Sequence, residues 1–124
     1  SHIWIGRFPS EEALNAYFEE HASEDNEAED EQPINRFAED QGVGFYDHDW
    51  VEYSFNGSAN LAALMEGHSY AENYAEEVIR ISQERGIEGA NAFVMADQDE
   101  VPTPKSLTGS NYELWYLGVF NCNV

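Results

Sequence analysis

Asp47, Asp49 and Glu52, with His48 between the first two, put three carboxylates and an imidazole within six positions. In an extended chain Asp47 and Asp49 share a face, and two carboxylates on one face suit a hard cation such as Mg²⁺, Ca²⁺ or Mn²⁺. The spacing is not that of a calcium-binding loop, because no glycine stands at the required offset and no glutamate follows at the twelfth position. The four histidines, His2, His21, His48 and His68, form no HxH or HxxxH pair. Carboxylates along the exposed side of a strand are common without any ion, so the expectation is that no metal is ligated here.

Nucleophilic chemistry has less to stand on. There is no GxSxG motif, and Cys122 lies in an apolar C-terminal segment, where a buried thiol is inert. Gly42-Val43-Gly44 lacks the following helix and lysine that would hold a phosphate. With 25 acids in the chain, any particular carboxylate pair is uninformative as an acid and base. No acid, base and oxyanion donor can be assigned together, which implies no catalytic residues, no cofactor and a protein that is not an enzyme.

Recognition is the chemistry that remains. Phe45 to Phe55 holds five aromatic residues beside its three carboxylates and one histidine. It closes an acidic tract from Glu19 to Glu52 that contains 13 of the 25 acids and a single base, Arg36. Asp47, Asp49, Trp50 and Glu52 are the candidate contact residues. Glu24, Asp25, Glu27, Glu29, Asp30 and Glu31 would steer a partner's approach. An exposed tryptophan ringed by charge is how binding hot spots are built, although a strand tryptophan can equally fill a core.

The whole-chain balance narrows the partner. Five Lys and Arg against 25 Asp and Glu give a net charge of −20 and a pI near 4.1. Such a field repels nucleic acid and anionic membranes and attracts basic proteins. Acidification for solubility alone would spread the acids evenly, whereas more than half fall in one tract. At 124 residues and 42% hydrophobic content, residues 1–124 make one domain with its own core, carrying residues 22–32 as an acidic surface loop. No apolar run approaches a membrane span, and one cysteine cannot form an internal disulfide, which points to a reducing compartment such as the cytoplasm. The sequence leaves the oligomeric state open.

These residues need elements to position them. His2 to Gly6 reads as a strand with apolar groups on both faces, hence central. Ser10 caps a helix with Glu11 and Glu12 in its first turn and Leu14, Tyr17, Phe18 and His21 on its buried side. Pro33 opens a short helix, Ile34 to Asp40, which Gly42 and Gly44 end. Trp50 to Phe55 is the second strand, with Val51, Tyr53 and Phe55 on one face and Trp50, Glu52 and Ser54 on the other. Ser58 caps a helix from Asn60 to Glu66. Ser69 and Glu72 form a capping box for a helix from Tyr70 to Arg85, stopped by Gly86. Asn91 to Ala96 and Tyr112 to Cys122 are strands three and four, expected to pair antiparallel through the loop carrying Pro102 and Pro104. The order β-α-α-β-α-α-β-β implies a single α+β domain, with helices packed on a four-stranded mixed or antiparallel sheet.

The opening His2-Ile3-Trp4-Ile5-Gly6, the acidic first helix with Phe18, and Phe45-Tyr46-Asp47-His48-Asp49-Trp50 followed by Glu52 together resemble the immunity protein 22 family. These are small α+β proteins encoded beside toxins in bacterial polymorphic-toxin systems, and the resemblance extends over most of the chain. It implies neutralisation of a cognate toxin and assigns no catalytic residue. A toxin that acts on nucleic acid is basic where it grips phosphate, so an acidic surface could cover its active site; the expected partner is therefore a basic, nuclease-type toxin domain. The rival reading from charge is a DNA-mimic or regulatory module that captures a basic cellular protein. A divalent-metal-dependent hydrolase using Asp47, Asp49 and His48 is a third.

Overall fold

The strand β1 (His2–Arg7) is the axis of the molecule. The computed structural model describes residues 1–19, 35–43, 46, 50–57, 60–65, 74–109 and 111–120. In that part of the chain β1 is followed by α1 (Glu11–Phe18), α2 (Arg36–Gln41), β2 (Val51–Phe55), α3 (Leu61–Met65), α4 (Ala75–Glu84), β3 (Ala92–Ala96), β4 (Leu107–Thr108) and β5 (Glu113–Val119). The strands form one sheet in the order β2-β3-β1-β5-β4, and every pairing is antiparallel.

The α+β class stands, with two corrections. The sheet has five strands, not four, because Leu107 and Thr108 pair with Leu114 and Glu113. A two-residue strand carries no hydrophobic period for a sequence pattern to reveal. The expected pairing of strands three and four also fails, since β1 lies between β3 and β5. His2 through Gly6 are all buried, and a strand apolar on both faces is best covered when it has a neighbour on each edge as well.

The two faces of β1 feed two apolar clusters. Trp4 joins α1, α2 and the small side chains Ala92, Val94 and Ala96 in one of them. Ile3 and Ile5 join Leu64, Met65, Tyr74, Val78, Phe93 and Met95 in the other, beneath α3 and α4. Helices therefore cover both sides of an antiparallel sheet. Near Ile3 and Trp4 the β1–β5 register shifts, and Gly118, at φ 126°, supplies the backbone conformation that this irregularity requires.

Local chemistry sets the helix ends. Ser10 Oγ accepts from the Ala13 amide at 3.1 Å, as its position predicts. The second helix starts later than the proline suggests, because Asn35 caps it by accepting from the Ala38 amide at 2.8 Å. Asn35 is buried, and its amide group donates to the Phe18 carbonyl at 3.1 Å and the Tyr46 hydroxyl at 2.7 Å. One side chain thus fixes the end of α1, the start of α2 and the entry to the aromatic-acidic segment. Asn60 Oδ1 accepts from Ala63 at 3.1 Å at the start of α3. Gly86, at φ 70°, ends α4 in the left-handed conformation expected of it. Ser58, the Ser69–Glu72 capping box, His21, Ile34 and the 22–32 loop lie outside the described residues.

Candidate functional site

Trp50 stands immediately before β2 and is 58% exposed, the most exposed large apolar side chain among the described residues. Its carbonyl accepts from the Asp97 amide at 3.0 Å, which prolongs the β2–β3 ladder by one pair. Asp97 then folds the chain into a tight turn. Its carboxylate accepts from Asp99 N–H at 2.9 Å, and its carbonyl accepts from Glu100 N–H at 3.0 Å. Asp99 is exposed, and Asp97 and Glu100 are partly so. The ladder therefore sets Asp97, from the far side of the sequence, opposite Trp50, with Asp99 and Glu100 in the turn that follows it.

The turn is held from below by Val101, which is fully buried, and by His2. His2 Nε2 lies 2.9 Å from the Val101 carbonyl, so this nitrogen carries the proton. Nδ1 then accepts from the Tyr116 hydroxyl at 2.8 Å. Burial pushes the His2 pKa below its usual 6.5, and the N-terminal ammonium adds to this against the opposing pull of the Val101 carbonyl and Asp97. The neutral ring is a brace beneath the acidic corner.

Glu52, two residues along β2, is half-buried and pairs across the ladder with Met95. It shares its face with Ser54, whose hydroxyl donates to the Leu64 carbonyl of α3 at 2.9 Å. Tyr53, on the opposite face, is 38% exposed and stacks on Phe18 with centroids 4.2 Å apart and planes at 8°. Val51 and Phe55 pack partly against the same cluster. Of the sequence-derived contact residues, the structure brings Trp50 and Glu52 together on the outer strand. Asp47, Asp49, Glu24, Asp25, Glu27, Glu29, Asp30 and Glu31 lie outside the described residues.

All four arginines are already engaged. Arg7 pairs with Glu113, Arg36 with Asp40 at 3.1 Å, and Arg80 with both Glu77 and Glu84. Arg85 donates to the Tyr116 carbonyl at 2.9 Å.

Two other polar centres do different work. Asp40 accepts from the hydroxyls of Tyr17 and Tyr112 on one oxygen and from Arg36 Nε on the other. Burial, then hydrogen bonding to Asp40, pushes Tyr112 up to about 12, and burial with the Asp40 charge raises Tyr17 as well. Both phenols stay protonated at neutral pH, so the cluster ties α1, α2 and the approach to β5 together and moves no proton. At the end of β1 remote from Trp50, a depression of about 350 Å³ is lined by Arg7, Phe8, Pro9, Thr108, Gly109, Asn111, Tyr112 and Glu113. Its arginine pairs with Glu113. Among the described residues no group of three or more His, Cys, Asp or Glu could hold a metal ion.

Sequence reasoning missed Asp97, Asp99 and Glu100, which read as an ordinary polar loop before Pro102. Only the register that sets Trp50 opposite Asp97 gives them a role, and no local pattern encodes that register.

An antiparallel sheet covered by helices, with an exposed tryptophan in an acidic corner, has the make-up of a protein-binding module. The chain belongs to the immunity protein 22 family, whose model matches residues 1–123. That membership suggests toxin neutralisation and makes a toxin the partner. No curated protein and no solved structure matches the chain significantly. No helix among the described residues is long and apolar enough to cross a membrane.

Proposed function

We propose that this chain binds and occludes a basic, nuclease-type toxin domain in the cytoplasm, through an acidic surface centred on Trp50. The observation that carries the reading is Trp50, 58% exposed and set opposite Asp97 at the start of the Asp97–Glu100 turn, in a chain of net charge −20. Burying that ring supplies the apolar anchor, and the surrounding carboxylates meet the lysines and arginines with which a nuclease grips phosphate. Glu52, Asp47 and Asp49 extend the contact along the same segment. Glu24, Asp25, Glu27, Glu29, Asp30 and Glu31 raise the rate of encounter at long range. The role asks for no catalysis and no cofactor, and nucleic acid itself is repelled.

A salt titration of binding to the toxin encoded by the neighbouring gene tests the electrostatic part. Affinity should fall steeply as ionic strength rises past the point where the screening length is about 10 Å. Indifference to salt would remove the mechanism. Asp49→Lys with Trp50→Ala should abolish protection of toxin-expressing cells while the fold survives, and full protection by that variant would reject this surface. A cellular DNA-binding protein as the true target would instead show as tight binding to it and none to the neighbouring gene's product.

A further inference from the structure

The ladder between β2 and β3 fixes the direction of every backbone group in β2. Its two flanking bonds, Asp97 N–H to the Trp50 carbonyl at 3.0 Å and Asn56 N–H to the Asn91 carbonyl at 2.8 Å, fall on pairs that continue the observed register. Hydrogen-bonded and non-hydrogen-bonded pairs alternate in an antiparallel ladder. Trp50, Glu52, Ser54 and Asn56 therefore direct their N–H and C=O groups toward β3, and Val51, Tyr53 and Phe55 direct theirs away from it. β2 is an outer strand, and among the described residues no strand pairs with its far side.

An outward row of this kind is a template for another strand, which proteins blunt with lysine, proline or a bulge. β2 carries no lysine and no proline, and its register with β3 runs unbroken from Val51 to Phe55. Its flank is apolar as well, with Trp50 58% and Tyr53 38% exposed.

Resting on the immunity reading above, we propose that the outer edge of β2 receives a basic strand of the toxin, joined to the sheet through the backbone groups of Val51, Tyr53 and Phe55. Charge selects this occupant over a second copy of the chain, which would bring another −20 to the same edge. Side chains alternate along the added strand. Those on one face would meet the Phe18–Tyr53 stack, and those on the other would lie beside Glu52. A segment alternating apolar residues with lysine or arginine fits both. Main-chain bonds then supply affinity, and the alternate side chains supply selectivity.

Amide hydrogen exchange of the full chain, with and without the toxin domain encoded by the neighbouring gene, tests the assignment. The amides of Val51, Tyr53 and Phe55 should slow by roughly tenfold or more in the complex, while those of Glu52 and Ser54, already in the ladder, change little. Tyr53→Pro removes an outward N–H without touching the β2–β3 bonds and should weaken binding by roughly tenfold, with Tyr53→Phe behaving as the unmodified chain. A tight complex in which the outward amides exchange as before would overturn the edge and leave the immunity reading intact. No complex with the toxin domain would overturn both. Dimerisation of the free chain that Tyr53→Pro abolishes would give the edge to a second copy. The exchange measurement keeps the proposal falsifiable even if the proline variant does not fold.

Discussion

β1 and β2 are built from the same kinds of residue and are used in opposite ways. Each mixes β-branched and aromatic side chains, and each has a tryptophan, Trp4 within β1 and Trp50 just before β2. Trp4 is fully buried, meets Phe37 edge-on with centroids 5.3 Å apart, and donates from Nε1 to the Lys105 carbonyl at 3.0 Å. Trp50 leads into the outer strand of the sheet, and more than half of it faces water. The contrast teaches that place in the sheet, not residue type, divides aromatic surface between cohesion and recognition.

Truncating the two tryptophans should separate these uses most sharply. Trp4→Ala removes a filled core position and should destabilise the fold by about 3–5 kcal/mol in a denaturant titration. Trp50→Ala should shift the same titration by less than about 0.5 kcal/mol while weakening toxin binding by about 2 kcal/mol or more, read by calorimetry. Equal stability losses would erase the distinction.

A smaller effect belongs to the polar cluster on the Trp4 side. Asp40→Ala leaves the hydroxyls of Tyr17 and Tyr112 without their acceptor and should cost about 1–3 kcal/mol of stability, with toxin affinity unchanged.

The brace under the Trp50 corner gives the mildest effect, a pH dependence. The folded pKa of His2 lies below its unfolded value of 6.5, so the unfolded chain binds the proton more readily. The His2 contribution to stability is complete above that value and is lost as pH falls below it. His2→Gln should flatten the unfolding free energy between neutral and mildly acidic pH relative to the unmodified chain. A parallel decline in both proteins would assign the effect to other groups.

The local half of this architecture was written in the sequence. The two-faced apolar pattern of β1, the Ser10 cap and the Leu14-Tyr17-Phe18 stripe each depend on neighbours within a turn or two. Gly86 at the end of α4 is equally local. The long-range half was not. β1 intrudes between β3 and β5 because burial of all its side chains asks for two strand neighbours, a demand visible only once the sheet is counted as a whole. For the candidate site, the aromatic-acidic character of Phe45 to Phe55 is legible, and the exposure of Trp50 is not. Asp97 meets it through a cross-strand register, and Asn35 caps α2 because its side-chain oxygen can accept from an orphan amide of the first turn.

The central position of β1 also sets an order of assembly. Gly6 must find Ala92, and His2 must find Val119, before the sheet has its middle strand. Such closures span most of the chain and slow the search, since the entropy of a long loop is spent before any contact rewards it. β1 is made before either of its neighbours and waits for both, and its ladder to β5 is the last of the two that can form. The middle strand is therefore hydrogen-bonded along both edges only once β5 has been made.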